Sequence, residues 1–213
     1  MLYHILGAVS SILFLLTWYG LSKQLILIND RKSKNLLATE NLSINQFASS
    51  FFAFYANFMF GIAIEPFNHY LVWTRFGALV LLIAILFRIY QERKGHVNAI
   101  VYYGSTFAFG MGLLSIGYRP FPAVAKIATD VLMLVVTLVL VQGTLHQYWL
   151  LHKSKSLGGL SFPLIKSILI KDVSTLAFAL TLPLSSAWPL LTLNGMSIIS
   201  RGILLIKMYK VNQ

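Results

Sequence analysis

The sequence predicts an all-α membrane protein: seven transmembrane helices set out as two parallel three-helix repeats with one linking helix between them, a 3+1+3 order. Three observations predict it. The 213-residue chain is 57% hydrophobic and only 11% charged, less than half the roughly 25% charged content of soluble domains. Its apolar residues fall into seven runs, each near the ~20 residues that a helix needs to cross about 30 Å of hydrocarbon. One polar signature also occurs twice, once after the first run of each half.

The runs cover 4–27, 44–63, 69–90, 98–118, 126–150, 162–183 and 187–208. Backbone groups in hydrocarbon must bond within the chain, so each run is expected to be a helix. The first run lies in MLYHILGAVSSILFLLTWYG, which has neither a basic leader nor a small-residue cleavage site. It reads as a span and not as a removable signal. The connections are too short to hold a soluble domain. Arg31, Lys32 and Lys34 follow run one, Arg93 and Lys94 follow run three, Lys153 and Lys155 follow run five, and Lys207 and Lys210 end run seven. The opposite side carries Glu65 and Arg119, with an uncharged 184–187 turn. Cytoplasmic loops collect Lys and Arg, so the N-terminus is expected outside and the C-terminus in the cytoplasm. A bacterial inner membrane and a eukaryotic organelle membrane would show the same bias.

The net charge of +11 lies between apolar runs and not along one face. That pattern argues against nucleic acid and for lipid as the partner. There is no Cys, so no disulfide or thiolate metal site can form. The chain has no H-E-x-x-H, no G-x-S-x-G, no phosphate loop ending in Lys-Ser/Thr and no paired carboxylates. No enzyme activity, cofactor or metal is expected.

The repeat is explicit. Gln24 is followed by Lys32-Ser33 and then Asn41-Leu42-Ser43; Gln147 is followed by Lys155-Ser156 and then Gly159-Leu160-Ser161. The shift is 123 residues before the loop and 118 after it, so the first loop carries a five-residue insertion, roughly Asn35–Thr39. Gly20 and Gly143 match at a shift of 123, and Asn57 and Thr175 at 118. Run three matches run seven at a shift of 119, which pairs Arg75 with Asn194. The expected division is 1–95 for the first bundle, 96–122 for the linking helix and 123–213 for the second bundle. A single linking span leaves the two halves parallel, one of the recognised transporter plans, with substrate bound near the midplane between them.

The doubled Gln, Lys-Ser and Gly-Leu-Ser pattern resembles the PQ-loop motif, and the 3+1+3 layout resembles the PQ-loop/SWEET superfamily. The resemblance covers nearly the whole chain. It implies an alternating-access carrier whose two bundles rock against each other. The Pro that precedes Gln in such motifs is replaced here by Lys23 and His146, so Gly20, Gly143 and Pro163 become the candidate hinges. SWEET-type carriers place one Asn on the third span and one on the seventh, facing the sugar. The seventh-span position is Asn194, and its third-span counterpart is Arg75. A guanidinium matches a carboxylate or phosphate, so the resemblance with this departure points away from a plain sugar site.

Ionisable groups inside a span are costly and face a cavity or a partner. Arg75 lies six residues into run three, as a candidate for the substrate or for the outer headgroups. Lys171 and Asp172 lie near the middle of run six. Neighbours on a helix point about 100° apart, so they are not expected to face one cavity together. Asp172 is the candidate for proton coupling or for a substrate ammonium, and Asp130 is a second coupling candidate. Arg201 is expected to snorkel inward. The substrate-binding set is therefore Arg75, Asn194, Asn57, Thr175 and Asp172. The gating set is Gln24, Gln147, Trp73, Trp188 and Pro163. The expected function is a carrier of a small polar metabolite, an amino acid or an organic anion. The alternatives are a SWEET-type sugar facilitator and a non-transporting receptor or scaffold. A seven-span unit is complete as a monomer or pairs as a homodimer.

Overall fold

The computed structural model describes residues 1–39, 41–119 and 123–212. The expected division at 122/123 meets residues outside those described. Seven α-helices follow in order: α1 (Leu2–Ser33), α2 (Ile44–Ala63), α3 (His69–Arg93), α4 (His96–Ser115), α5 (Ala123–Ser154), α6 (Phe162–Ala179) and α7 (Leu184–Asn212). A short 3₁₀ turn, Ile116–Tyr118, extends α4. No strand occurs among the described residues.

The first helix of each half outruns its apolar stretch. α1 and α5 each have 32 residues, about 48 Å at 1.5 Å per residue, so their basic ends stand clear of the hydrocarbon. Caps set the other boundaries. Ser43 accepts from the Gln46 amide to start α2, and Asn68 accepts from the Leu71 amide to start α3, each satisfying an amide that the first turn leaves open. α6 stops at Ala179, earlier than the apolar run suggests, because Pro183 cannot continue it.

Among the described residues, five helices are long and apolar enough to span a membrane: α1, α3, α4 with its 3₁₀ turn, α5 from Ile127, and α7. The exceptions among the seven expected spans are α2 and α6. α2 carries Asn45, Gln46, Ser49, Ser50 and Asn57, and α6 carries Lys166, Lys171 and Asp172. Their placement accounts for this polarity. α3 packs between α1 and α2, and α7 packs between α5 and α6. The halves meet where α6 lies along α1 and α2 lies along α5, while α4 rests on the outside of α3 and α2. Thus α2 and α6 face protein on several sides.

The polarity of the molecule is reversed relative to a soluble protein. Ile100, Phe107 and Leu138 are each more than 70% exposed, whereas Arg75, Lys171, Asp172 and Arg201 are buried. Apolar outside and charged inside is stable only in lipid. The chain is an integral, multi-pass membrane protein.

Candidate functional site

Gln24 and Gln147 are fully buried at the same end of the molecule. Gln24 donates from Nε2 to the carbonyl of Gly159 and accepts from the Ser161 amide at 3.0 Å. Gln147 donates to the carbonyl of Asn41 at 2.9 Å and accepts from the Ser43 amide at 2.8 Å. Each side chain therefore holds the Asn-Leu-Ser or Gly-Leu-Ser triplet of the opposite half. The twice-repeated signature is a pair of reciprocal clamps across the interface. An amide side chain suits this because it presents one donor and one acceptor to a backbone that needs both.

One turn before each Gln is a close helix crossing. A Cβ on Gly20 would lie 2.9 Å from the Pro163 carbonyl oxygen and 2.1 Å from Ser167 Oγ. A Cβ on Gly143 would lie 2.6 Å from the Asn45 carbonyl oxygen and 2.3 Å from Ser49 Oγ. Both glycines are required by this approach. Pro163 sits in the first turn of α6, where its missing amide interrupts nothing. In this position it supplies the carbonyl against Gly20 and no helix break. Among the described residues, the proline in a helix interior is Pro189 of α7.

The opposite end is closed by aromatic rings. Tyr3 of α1 and Tyr70 of α3 pack on Phe178 of α6 at centroid distances of 5.3 and 6.0 Å. Asn68 Nδ2 donates to the Tyr3 hydroxyl at 3.2 Å. Trp73 and Trp188 are 51% and 41% exposed. Trp73 bonds His69 and packs beside Phe67 and Phe76 on its own side. In this conformation the two tryptophans lie at the perimeter, and the rings between the halves are those of Tyr3, Tyr70 and Phe178.

Between the two closures lies a buried polar layer. Arg75 donates from Nη1 to Thr74 Oγ1 at 2.8 Å and from Nη2 across the interface to Thr175 Oγ1 at 2.9 Å. Its guanidinium lies 4.4 Å from the centroid of Phe14. Lys171 reaches Asn194 Oδ1 at 3.4 Å and pairs with Asp172 Oδ1. Asp172 Oδ2 accepts from Ser197 Oγ at 2.6 Å and pairs with Arg201 at 3.2 Å. Arg201 also donates to Ser197 and, across the interface, to Ser50 Oγ at 2.9 Å. Each half thus sends an arginine from its third helix to a hydroxyl on the second helix of the other half.

Of the expected substrate residues, Arg75 and Thr175 share one set of bonds and Asn194 and Asp172 another through Lys171, all four with no exposure. Asn57 is equally buried; its Nδ2 donates to the Ala53 carbonyl, and its Oδ1 has no hydrogen bond among the described residues. Asp130 is partly buried on α5, a helix that contributes none of the described contacts of this network. Two expectations are corrected. Lys171 and Asp172 both face the interior, because α6 is covered by α1 on one side and α7 on the other, and 100° of arc fits within that cover. Arg201 does not snorkel: it is 1% exposed, turned toward Asp172 and Ser50. From the sequence Ser50 reads as a helix-packing residue, and Ser197 and Phe14 carry no signal; nothing distinguishes such residues from helix-packing ones before the charges are located.

No family model matches the chain, and no curated protein matches it. One solved structure does, that of a eukaryotic SWEET transporter: it superposes with a TM-score of 0.59 at 16% sequence identity, covering 100% of this chain and 99% of the other. The chain has a SWEET/PQ-loop-like fold. At that identity the likeness concerns the fold alone. The bonds described above show what the doubled Gln signature does in this chain.

Proposed function

We propose that the protein is an alternating-access carrier of a small polar metabolite, an amino acid or an organic anion. The observation that carries the reading is a charged layer buried between two halves, with a separate closure on either side. Three cations and a carboxylate are costly to bury, and a scaffold needing only stability gains little from them. They make sense where a polar solute passes. The likeness in fold to a SWEET transporter agrees with this reading.

In the proposed cycle, residues 1–95 and 123–213 move as two bundles, with 96–122 as the link. Parting the Gln24 and Gln147 clamps opens one end, the cytoplasmic one if the N-terminus lies outside. Parting Tyr3 and Tyr70 from Phe178 opens the other. Arg75, Asn194, Asn57 and Thr175 lie at matched positions of the two repeats and form the binding level. Asp172 is the candidate coupling group, since a proton on it would weaken its hold on Lys171 and Arg201. The protein needs no cofactor, and a monomer or a homodimer could perform the cycle.

Uptake of labelled solutes by proteoliposomes tests the proposal. Saturable, protein-dependent accumulation of an amino acid or organic anion supports it. A folded, correctly inserted protein that moves no solute from a panel of amino acids, organic anions and sugars refutes it. Transport of sugars alone would keep the carrier and overturn the substrate.

A further inference from the structure

We infer that the buried layer binds a short dicarboxylate, an anion with two separated acidic groups; the inference rests on the carrier reading and gives it a substrate class. Among the described residues the fully buried charges are Arg75, Lys171, Arg201 and Asp172. Three cations face one carboxylate, so two positive charges have no buried counter-charge. Unpaired charge in a low-dielectric interior is strongly unfavourable, and an occupant with two negative charges removes the imbalance.

The arrangement also says where those charges belong. Asp172 spends one oxygen on Lys171 and the other on Ser197 and Arg201. Arg75 has no carboxylate partner among the described ion pairs, and its Nε has no hydrogen bond. Its Nε and Nη2 edge can therefore take one carboxylate in the bidentate manner that suits a guanidinium. Lys171 Nζ, turned toward Asn194, near the same Phe14 ring as Arg75 and sharing its charge with Asp172, takes the second. The two cations lie 4.4 and 6.0 Å from the centroid of the same ring, that of Phe14, and Lys171 lies 5.0 Å from that of Phe54. Apolar ring surface shared by two cations suits a methylene spacer between two carboxylates. An amino acid fits less well, since its ammonium cancels its own carboxylate and leaves the imbalance of two charges in place. A sugar supplies no charge.

The test uses the full chain. Thermal unfolding in detergent is followed against succinate, lactate, inorganic phosphate, alanine and glucose, and labelled succinate is then offered to proteoliposomes. Succinate is expected to bind at least about tenfold more tightly than lactate, the loss expected when one charge pair is missing. Arg75→Gln should abolish that preference, and Arg75→Lys should restore part of it. The wild-type series decides the matter even if a variant fails to fold. Lactate binding as tightly as succinate, phosphate binding more tightly than succinate, or stabilisation by alanine or glucose alone would each overturn the dicarboxylate while leaving a carrier. Succinate binding without uptake would uphold the dicarboxylate and sink the carrier. No response to any of the five would overturn the inference.

Discussion

Gln24→Leu is a sharp perturbation because it removes two bonds and little volume. With the end closed, the Gly159 carbonyl and the Ser161 amide would remain buried without the partners that Gln24 gives them. Each orphaned buried backbone group costs about 1–3 kcal/mol. The closed end should therefore lose about 2–6 kcal/mol, and its open population should rise by roughly thirtyfold or more, at 1.4 kcal/mol per factor of ten. The chain has no native Cys, so one introduced thiol is an unambiguous reporter. Leu160 is 3% exposed inside the clamped triplet, and Ala179 is 0% exposed near the opposite closure. In a Leu160→Cys background, Gln24→Leu should speed modification by a water-soluble maleimide about thirtyfold. Modification of Ala179→Cys should not accelerate. An unchanged rate at Leu160→Cys would refute the clamp. Equal acceleration of both reporters would refute it too, because general loosening would then explain the result. Gln147→Leu should act in the same way on Leu42→Cys, since Leu42 is the matching residue and is 1% exposed.

Further outcomes follow from the same geometry. Gly143→Ala should lower the melting temperature by several degrees, reflecting about 1–3 kcal/mol of overpacking, since the Asn45 carbonyl that it meets is backbone; Gly104→Ala, with nothing within 4 Å, should lower nothing. Asp172→Asn should cost about 3–5 kcal/mol by stranding two cations, read as lost yield of monodisperse protein, and adding Arg201→Met should recover part of it. Glu92→Ala should make Lys34 more sensitive to trypsin while leaving Lys155 unchanged, because Glu92 accepts from Ala38 N, Thr39 N and Thr39 Oγ1 at 3.1, 2.9 and 2.9 Å. An impermeant thiol reagent should reach Asn35→Cys and Ser156→Cys from the cytoplasmic side and Glu65→Cys from the other; the reverse pattern would invert the expected orientation.

The helices were legible because lipid imposes one rule on every run, and the doubled signature was legible because both Gln residues keep polar partners at fixed spacing. The purpose of that signature was not legible. A Gln near a helix end can face water, lipid headgroups or protein, and only the crossing of α1 with α6 and of α5 with α2 shows that each reaches the other half. The inner arginine was misread for a related reason. Arg201 lies near enough to the C-terminal end of α7 to snorkel, and that route is favourable unless a buried carboxylate competes. Asp172 does compete, from a residue 29 positions away in sequence. Trp73 and Trp188 read as gate residues because they stand at span ends where a gate could close, although interfacial belts also place aromatic rings there. The rings that meet between the halves are Tyr3, Tyr70 and Phe178, and their sequence separation hides the contact.

The two repeats share their framework but differ at the layer where a solute would sit. The clamps and glycine crossings match nearly atom for atom across the shifts of 118 and 123. At the matched binding positions, however, Arg75 corresponds to Asn194, and Asn57 to Thr175. Arg201 lies seven residues beyond Asn194, about 10 Å deeper along α7 at 1.5 Å per residue, where the first repeat has Leu82. Because the repeats are parallel, the two equivalent clamps lie at one end and break together when the halves part there. An asymmetric charged layer cannot present the same face to a solute from both sides. Arg75 stands nearest the aromatic closure, with its Nη1 within 3.4 Å of the Tyr70 carbonyl, whereas Arg201 is already held by Asp172 on the clamp side. A dicarboxylate entering past Tyr70 would meet an uncompensated guanidinium first; one entering past the clamps would meet an ion pair that must rearrange. Apparent affinity should therefore be higher from the aromatic end. Measuring half-saturating succinate in proteoliposomes sorted by orientation checks this, and equal values from both sides would show that the Asp172–Arg201 pair is no barrier.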